Sequence, residues 1–119
     1  MTKEEYLEFC RGISGATLDQ PFDDDYVSWV ARHTLSRKWF ALIMRLEGRD
    51  IVTLKCDPQE ADFLRSVYEG VIPAYHMNKV HWNTVYLDSD VPDEELIRMT
   101  ENSFGLTGGN KQRRRKKGE

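Results

Sequence analysis

Between Tyr26 and Cys56 the chain carries three apolar runs of strand length, Tyr26–His33, Lys38–Leu46 and Asp50–Cys56. Only short polar connections separate them, Thr34–Arg37 and Glu47-Gly48-Arg49. Strands rejoined that quickly run antiparallel, because a parallel return needs a crossover of about a dozen residues or more. The first run is rich in aromatic and β-branched residues, and the second is the most apolar stretch of the chain. The third alternates Ile51, Thr53 and Lys55 against Val52, Leu54 and Cys56, the period of a strand with two unlike faces. Gly48 supplies the positive φ that a tight hairpin often needs. A three-stranded meander is therefore the fixed point around which the rest must fold.

Helical signals flank it. Thr2 with Glu5 forms a capping box, and Tyr6, Phe9, Cys10 and Ile13 then share one helical face, closed by Gly15. Residues 14–25 read as a loop ending in Asp23-Asp24-Asp25. Asp57-Pro58-Gln59-Glu60 combines an N-cap acid, Pro at the first helical position and a capping-box Glu. The helix it starts buries Ala61, Leu64, Val67 and Tyr68 and ends at Gly70. An extended segment at 71–77, a turn at Asn78-Lys79-Val80 and a strand at His81–Leu87 follow. The spacing predicts a last helix over Pro92–Phe104 whose inward stripe is Leu96, Met99, Thr100 and Ser103–Phe104. The fold class is α+β, in the order α-β(3)-α-β(2)-α, with an antiparallel sheet covered by helices on one face. Residues 1–106 form a single domain, and 107–119 a Gly-containing linker and basic tail.

Charge divides the chain. Net charge is −3, yet 111–119 carries six cations against Glu119 alone, which leaves the remainder at −8 (11 basic against 19 acidic). The tail reaches for anions while the body, on average, repels them. Arg113, Arg114 and Arg115 are its densest part and candidate nucleic-acid contacts. With no amphipathic pattern or lipidation site in the tail, and no apolar run near the roughly 20 residues of a membrane span, a membrane partner is not expected. The N-terminus does not read as a signal peptide. Cys10 and Cys56 sit inside periodic apolar patterns and read as buried thiols, so a cytoplasmic location is the expectation.

No Gly-rich phosphate loop, His-Glu-x-x-His or Cys-x-x-Cys is present, and no Ser has a nucleophile-elbow context, so the chain is not expected to be an enzyme or to carry a cofactor. Asp23-Asp24-Asp25 lacks the turn Gly of a cation loop and reads as solvated surface. His76 and His81 stand five apart, which suits no metal and more readily holds a turn. The polar cluster His76, Asn78, Lys79, His81 and Trp82 is more suggestive when set beside Arg32, His33, Arg37 and Lys38 at the first hairpin tip and Arg49 at the second. If these tips share an edge they form a basic patch able to contact phosphate; otherwise they are ordinary turn residues.

Several segments together carry a family resemblance. Lys38-Trp39-Phe40-Ala41-Leu42, Leu54-Lys55-Cys56-Asp57-Pro58, Tyr75-His76-Met77-Asn78-Lys79-Val80-His81-Trp82 with Thr84-Val85, and Ser103-Phe104 after the last helix resemble the MmcQ/YjbR family from about residue 2 to 106. The resemblance implies a YjbR-like fold, related in shape to type III secretion chaperones, and DNA binding through a double-wing motif, with no enzymatic activity or cofactor. Carried over by position, the candidate residues are Lys38, Lys55, His76, Asn78, Lys79, His81 and Trp82, with Arg37 added from the hairpin tip. The family's usual Ser-Tyr stands here as Ser103-Phe104, without the phenol hydroxyl. The basic tail lies outside the family pattern. Two functions stay open: a small DNA-binding protein, or a protein-interaction module of secretion-chaperone-like shape. A small-ligand pocket around His76, His81 and Trp82 is a third and weaker reading.

Overall fold

The capping box forms as expected, each of Thr2 and Glu5 bonding the other's backbone N–H, and starts α1 (Lys3–Arg11). The computed structural model describes residues 1–108. After α1 come four strands, β1 (Ala16–Asp19), β2 (Trp29–His33), β3 (Trp39–Leu46) and β4 (Arg49–Lys55). They are followed by α2 (Pro58–Val67), β5 (Val71–Pro73), β6 (Trp82–Tyr86) and α3 (Asp93–Thr107). The strands form one sheet in the order β1-β2-β3-β4-β6-β5, antiparallel at every junction.

The α+β class and the helix-covered antiparallel sheet hold, and several local expectations change. Val67, expected to be buried, is 48% exposed, and Asp57 makes no side-chain cap bond to α2. Residues 14–25 are not all loop: Ala16–Asp19 pairs with Val30–His33 as an edge strand. All four of its residues are partly buried, so no inside–outside alternation marked it in the sequence. Gly15 does not close α1, which ends at Arg11 with Gly12 as its cap; at φ +89° it instead turns the chain into β1. The last helix also runs past Phe104 to Thr107, its final turn held by the Thr107 hydroxyl donating to the Ser103 carbonyl at 2.8 Å.

Register sorts the side chains into two faces. Leu18, Ala31, Ala41, Leu54 and Asn83 form one cross-strand row, and Trp29, Ile43, Val52, Val85 and Val71 the next. The apolar members of these rows join Tyr6, Leu7 and Cys10 of α1, Ala61 and Leu64 of α2, and Leu96 and Met99 of α3 in one core cluster. All three helices therefore cover the same face. On the other face Val30, Leu42, Thr53 and Thr84 run in a buried row, with the two threonine hydroxyls bonded at 2.7 Å.

The β2–β3 pair is irregular. A bulge sets Ala31 opposite Ala41 but Arg32 opposite Trp39, so Phe40 is an extra residue. Phe40 and Ala41 both enter the helix-side core, where Phe40 packs edge-on against Phe104 at 5.0 Å. The Ser103 hydroxyl closes the gap this leaves in the ladder. It donates to the Phe40 carbonyl at 2.6 Å and accepts from the Lys55 N–H at 2.9 Å. Beyond the bulge Trp39 joins Arg32 on the helix-free face, the guanidinium lying 5.8 Å from the ring centre.

Charge is separated along the strands. The Glu47-Gly48 turn, the Leu87–Asp90 segment and the N-termini of α1 and α3 meet at one end, where the N-terminal amine pairs with Asp93 at 2.8 Å and the Leu87 N–H bonds Asp50. Glu4, Glu5, Glu47, Asp50, Glu69, Asp88, Asp90, Asp93, Glu94 and Glu95 gather there. The opposite end carries the β2–β3 hairpin tip, the close of β4, the start of β6 and the C-terminus of α3, which His33 joins by stacking on Phe104 at 4.1 Å and bonding Thr107 at 2.9 Å. The acidic average thus conceals an end with most of the acids and an opposite end where Asp19, Asp57 and Asp62 stand among more cations.

Candidate nucleic-acid interface

The hairpin end brings most of the candidate residues together. Lys55 sits opposite Trp82 in the β4–β6 register, and Lys38 directly precedes Trp39 on the neighbouring strand. Lys55 and Trp82 therefore stand on adjacent strands about 4.8 Å apart, and Lys38 enters the next strand from the helix side beside His33. On the helix-free face the row reads Thr17, Arg32, Trp39 and, across the bulge, Lys55 and Trp82.

The loop before β6 is built by its own polar groups. Asn78 accepts from the Val80 and His81 N–H groups at 2.8 and 3.1 Å, folding the turn locally. The Lys79 ammonium curls back onto the Ala74 carbonyl at 2.7 Å. His76 takes a left-handed backbone at φ 72° and lays its ring against Tyr75 at 4.0 Å. The His81 carbonyl receives the Cys56 N–H at 2.8 Å, tying the loop to the end of β4. Asn78 and the two histidine backbones are thus committed to the turn, while the His76 and His81 rings stay exposed.

Arg65 of α2 clamps this loop, a role nothing in the sequence signalled. Its guanidinium donates to Asn83 Oδ1 at 2.6 Å, to the Trp82 carbonyl at 3.3 Å and to the Lys79 carbonyl. Asn83 is fully buried and uses its amide on the Ala61 carbonyl at 3.3 Å, so both ends of that side chain are satisfied.

Ion pairing decides which cations remain for a partner. Every arginine among the described residues has an acid within ion-pair distance. Arg37 holds the left-handed position that closes the hairpin, at φ 68°, and lies 3.6 Å from Asp19, which Arg32 already binds at 2.9 Å. Arg49 is at the acidic end, forked onto Asp88 and stacked on Tyr86, so it does not join the first hairpin tip. Lys38 and Lys55 have no acid within that distance among the described residues, and Lys79 bonds only a neutral carbonyl. Arg113, Arg114 and Arg115 lie outside the described residues. The root of their segment is nevertheless fixed, because Gly108 stands beside His33 at the hairpin end.

Other chemistry is sparse. Among the described residues no group of three or more His, Cys, Asp or Glu side chains is placed to hold a metal ion. Burial pushes the Cys10 thiol up to about 12 and the Cys56 thiol to about 11, so both stay protonated and unreactive. The cleft beside the loop is lined by Pro58, Asp62, Arg65, Pro73, Lys79 and Val80, without either histidine or Trp82. The Ser28 hydroxyl, followed by the Ser28 and Val27 N–H groups, holds the Asp25 carboxyl of the acidic run below the usual range. Among the described residues no helix is long and apolar enough to cross a membrane.

Residues 11–106 match the family profile described as YjbR. The chain is 35% identical over 118 residues to the uncharacterized protein YyaQ of Bacillus subtilis, spanning 90% of this chain and 98% of that one. It is 34% identical over 104 residues to the uncharacterized protein YjbR of Escherichia coli K12, spanning 87% and 85%. A crystal structure of a Pseudomonas syringae protein superposes with a TM-score of 0.82 at 32% identity, over 90% of this chain and 99% of that one. A Deinococcus radiodurans protein with a DUF419 domain superposes at 0.79 with 31% identity, over 91% and 79%.

Proposed function

The chain belongs to the YjbR family, and from that premise we propose that it is a small non-enzymatic DNA-contacting protein of the cytoplasm that meets the phosphate backbone with the hairpin end of its sheet. The observation that carries this reading is the register, which sets Lys55 opposite Trp82 at the end of the sheet where Lys38 enters β3, with Lys79 in the loop alongside and the basic tail rooted at the same end. The −8 of the body is unevenly spread, because ten of its 19 acids gather at the far end, while Asp19, Asp57 and Asp62 stand near the hairpin end. Affinity then comes from charge neutralisation, and the tail adds to it: a chain advances at most about 3.5 Å per residue, so Lys111–Lys117 can follow a strand bound at that end.

The test is a fluorescence titration against duplex DNA at several salt concentrations, with the chain intact and with Gln at all six tail cations. Log K should fall by about 0.9 per phosphate contacted, a slope near 3 for Lys38, Lys55 and Lys79 alone and steeper with the tail. Binding that vanishes when only the tail is neutralised, or never appears below about 100 μM, leaves the folded body without this role.

A second reading, a protein-interaction module, is favoured by one observation. Phe63 and Val67, one turn apart on α2, are 63% and 48% exposed. The patch is small, and the helix-free sheet face offers no larger one, since its central row is buried. A stable dimer by light scattering that Phe63→Ser abolishes would move the reading there.

A further inference from the structure

We infer that the preferred ligand of the hairpin end is a single-stranded polynucleotide, bound without sequence preference, its bases stacked on Trp39 and Trp82 and a phosphate held by Lys55 between them. This rests on the proposed nucleic-acid reading and narrows it. The three tryptophans are not equivalent. Trp29 packs into the helix-side core with Arg11 beside it, whereas Trp39, with Phe22 edge-on at 6.3 Å and Arg32 at 5.8 Å, and Trp82 lie on the helix-free face at the hairpin end, both partly exposed. The strands carrying them are separated by β4 alone, so they stand about 10 Å apart with Lys55 between them. Trp39, which Phe22 meets edge-on, and Trp82 flank the Lys55 ammonium at the margin of the helix-free face, and rings beside a cation are what unstacked bases and their backbone require. A duplex hides the base faces and gives such rings nothing to stack on.

The cation inventory points the same way. Reading base edges in a duplex groove relies chiefly on free guanidinium forks, and every arginine among the described residues already faces an acid. The unpaired cations are lysines, point charges suited to phosphate rather than to base edges. Stacking plus lysine gives affinity that tolerates any sequence.

The experiment compares a thymidine single strand of about 20 nucleotides with a duplex of the same length on the full chain, following tryptophan emission. The single strand should bind at least about tenfold more tightly, and binding should quench emission. Trp39→Phe and Trp82→Phe, which keep a ring in place, should each remove part of the quench; Trp29→Phe should leave the fractional quench at saturation no smaller. Trp39→Leu and Trp82→Leu should weaken single-strand binding about 5- to 100-fold in variants whose melting confirms folding. Inorganic polyphosphate should compete for the site without quenching. Equal or tighter duplex binding, or an unchanged quench after both Phe substitutions, overturns the stacking inference and leaves phosphate contact standing. Failure to bind either nucleic acid overturns both.

Discussion

Replacing Ser103 with Ala removes one oxygen and, with it, the two hydrogen bonds it makes across the β3 bulge. The hydroxyl donates to the Phe40 carbonyl and accepts from the Lys55 N–H, and Ser103 itself is fully buried. Phe40 is also fully buried, so its stranded carbonyl should cost about 2 kcal/mol. Lys55 is half-buried and water can reach its N–H, which puts that loss near about 1 kcal/mol. The sum, about 3 kcal/mol, should lower the urea midpoint by about 1.5 M if the slope is about 2 kcal/mol/M. Ser66→Ala is the control: that hydroxyl bonds the Phe63 carbonyl on the exposed face of α2, and its loss should hardly register. A midpoint for Ser103→Ala within about 0.3 M of the parent would mean that the bulge needs no bridge, and the proposed role of the hydroxyl would fall. Because the bulge places Trp39 beside Lys55, the same variant should also bind nucleic acid more weakly.

Arg65→Met should cost about 2–3 kcal/mol in denaturant unfolding by leaving the buried Asn83 carbonyl oxygen and the loop carbonyls without donors, and Arg65→Lys should recover only part of it. Gly70→Ala should cost about 1–3 kcal/mol, because the added Cβ would lie 2.0 Å from the Ser89 hydroxyl; thermal melts measure it. His33 responds to pH: burial lowers its pKa below 6.5, so the unfolded chain takes up the proton first. Its contribution is whole above that value and is lost as pH falls through the lowered folded value. Stability measured from about pH 7 to about pH 5 should therefore decline less in His33→Gln than in the parent.

How much of the fold and the site was legible in the sequence depends on how local each cause is. The capping box at Thr2, Pro58 at a helix start and the short β2–β3 and β3–β4 connections act within a few residues, and each appears where the sequence placed it. Asn78 as a turn former is of the same kind. β1 was hidden because four residues, all partly buried, have no alternation to read; the strand exists through the pairing that β2 offers. The bulge was hidden because Lys38–Leu46 is almost continuously apolar, so a one-residue shift leaves no mark on the pattern. That shift decides which face Trp39 occupies, and hence the make-up of the candidate site. Arg65 was invisible for a different reason: its partners lie 14 to 18 residues away and are mostly backbone oxygens. The pairing of Arg37 with Asp19 likewise depends on β1, and it takes one expected cation largely out of play.

Whether a polynucleotide sits on the hairpin end can be read residue by residue, by mapping backbone amide shifts on the labelled full-length chain during titration with a thymidine single strand. The largest changes should cluster at residues 38–39, 55 and 76–82, with 47–50 and 88–94 at the acidic end unmoved. Changes confined to 111–117, or centred on Phe63 and Val67 of α2, would put the ligand elsewhere and leave the hairpin end without its proposed role.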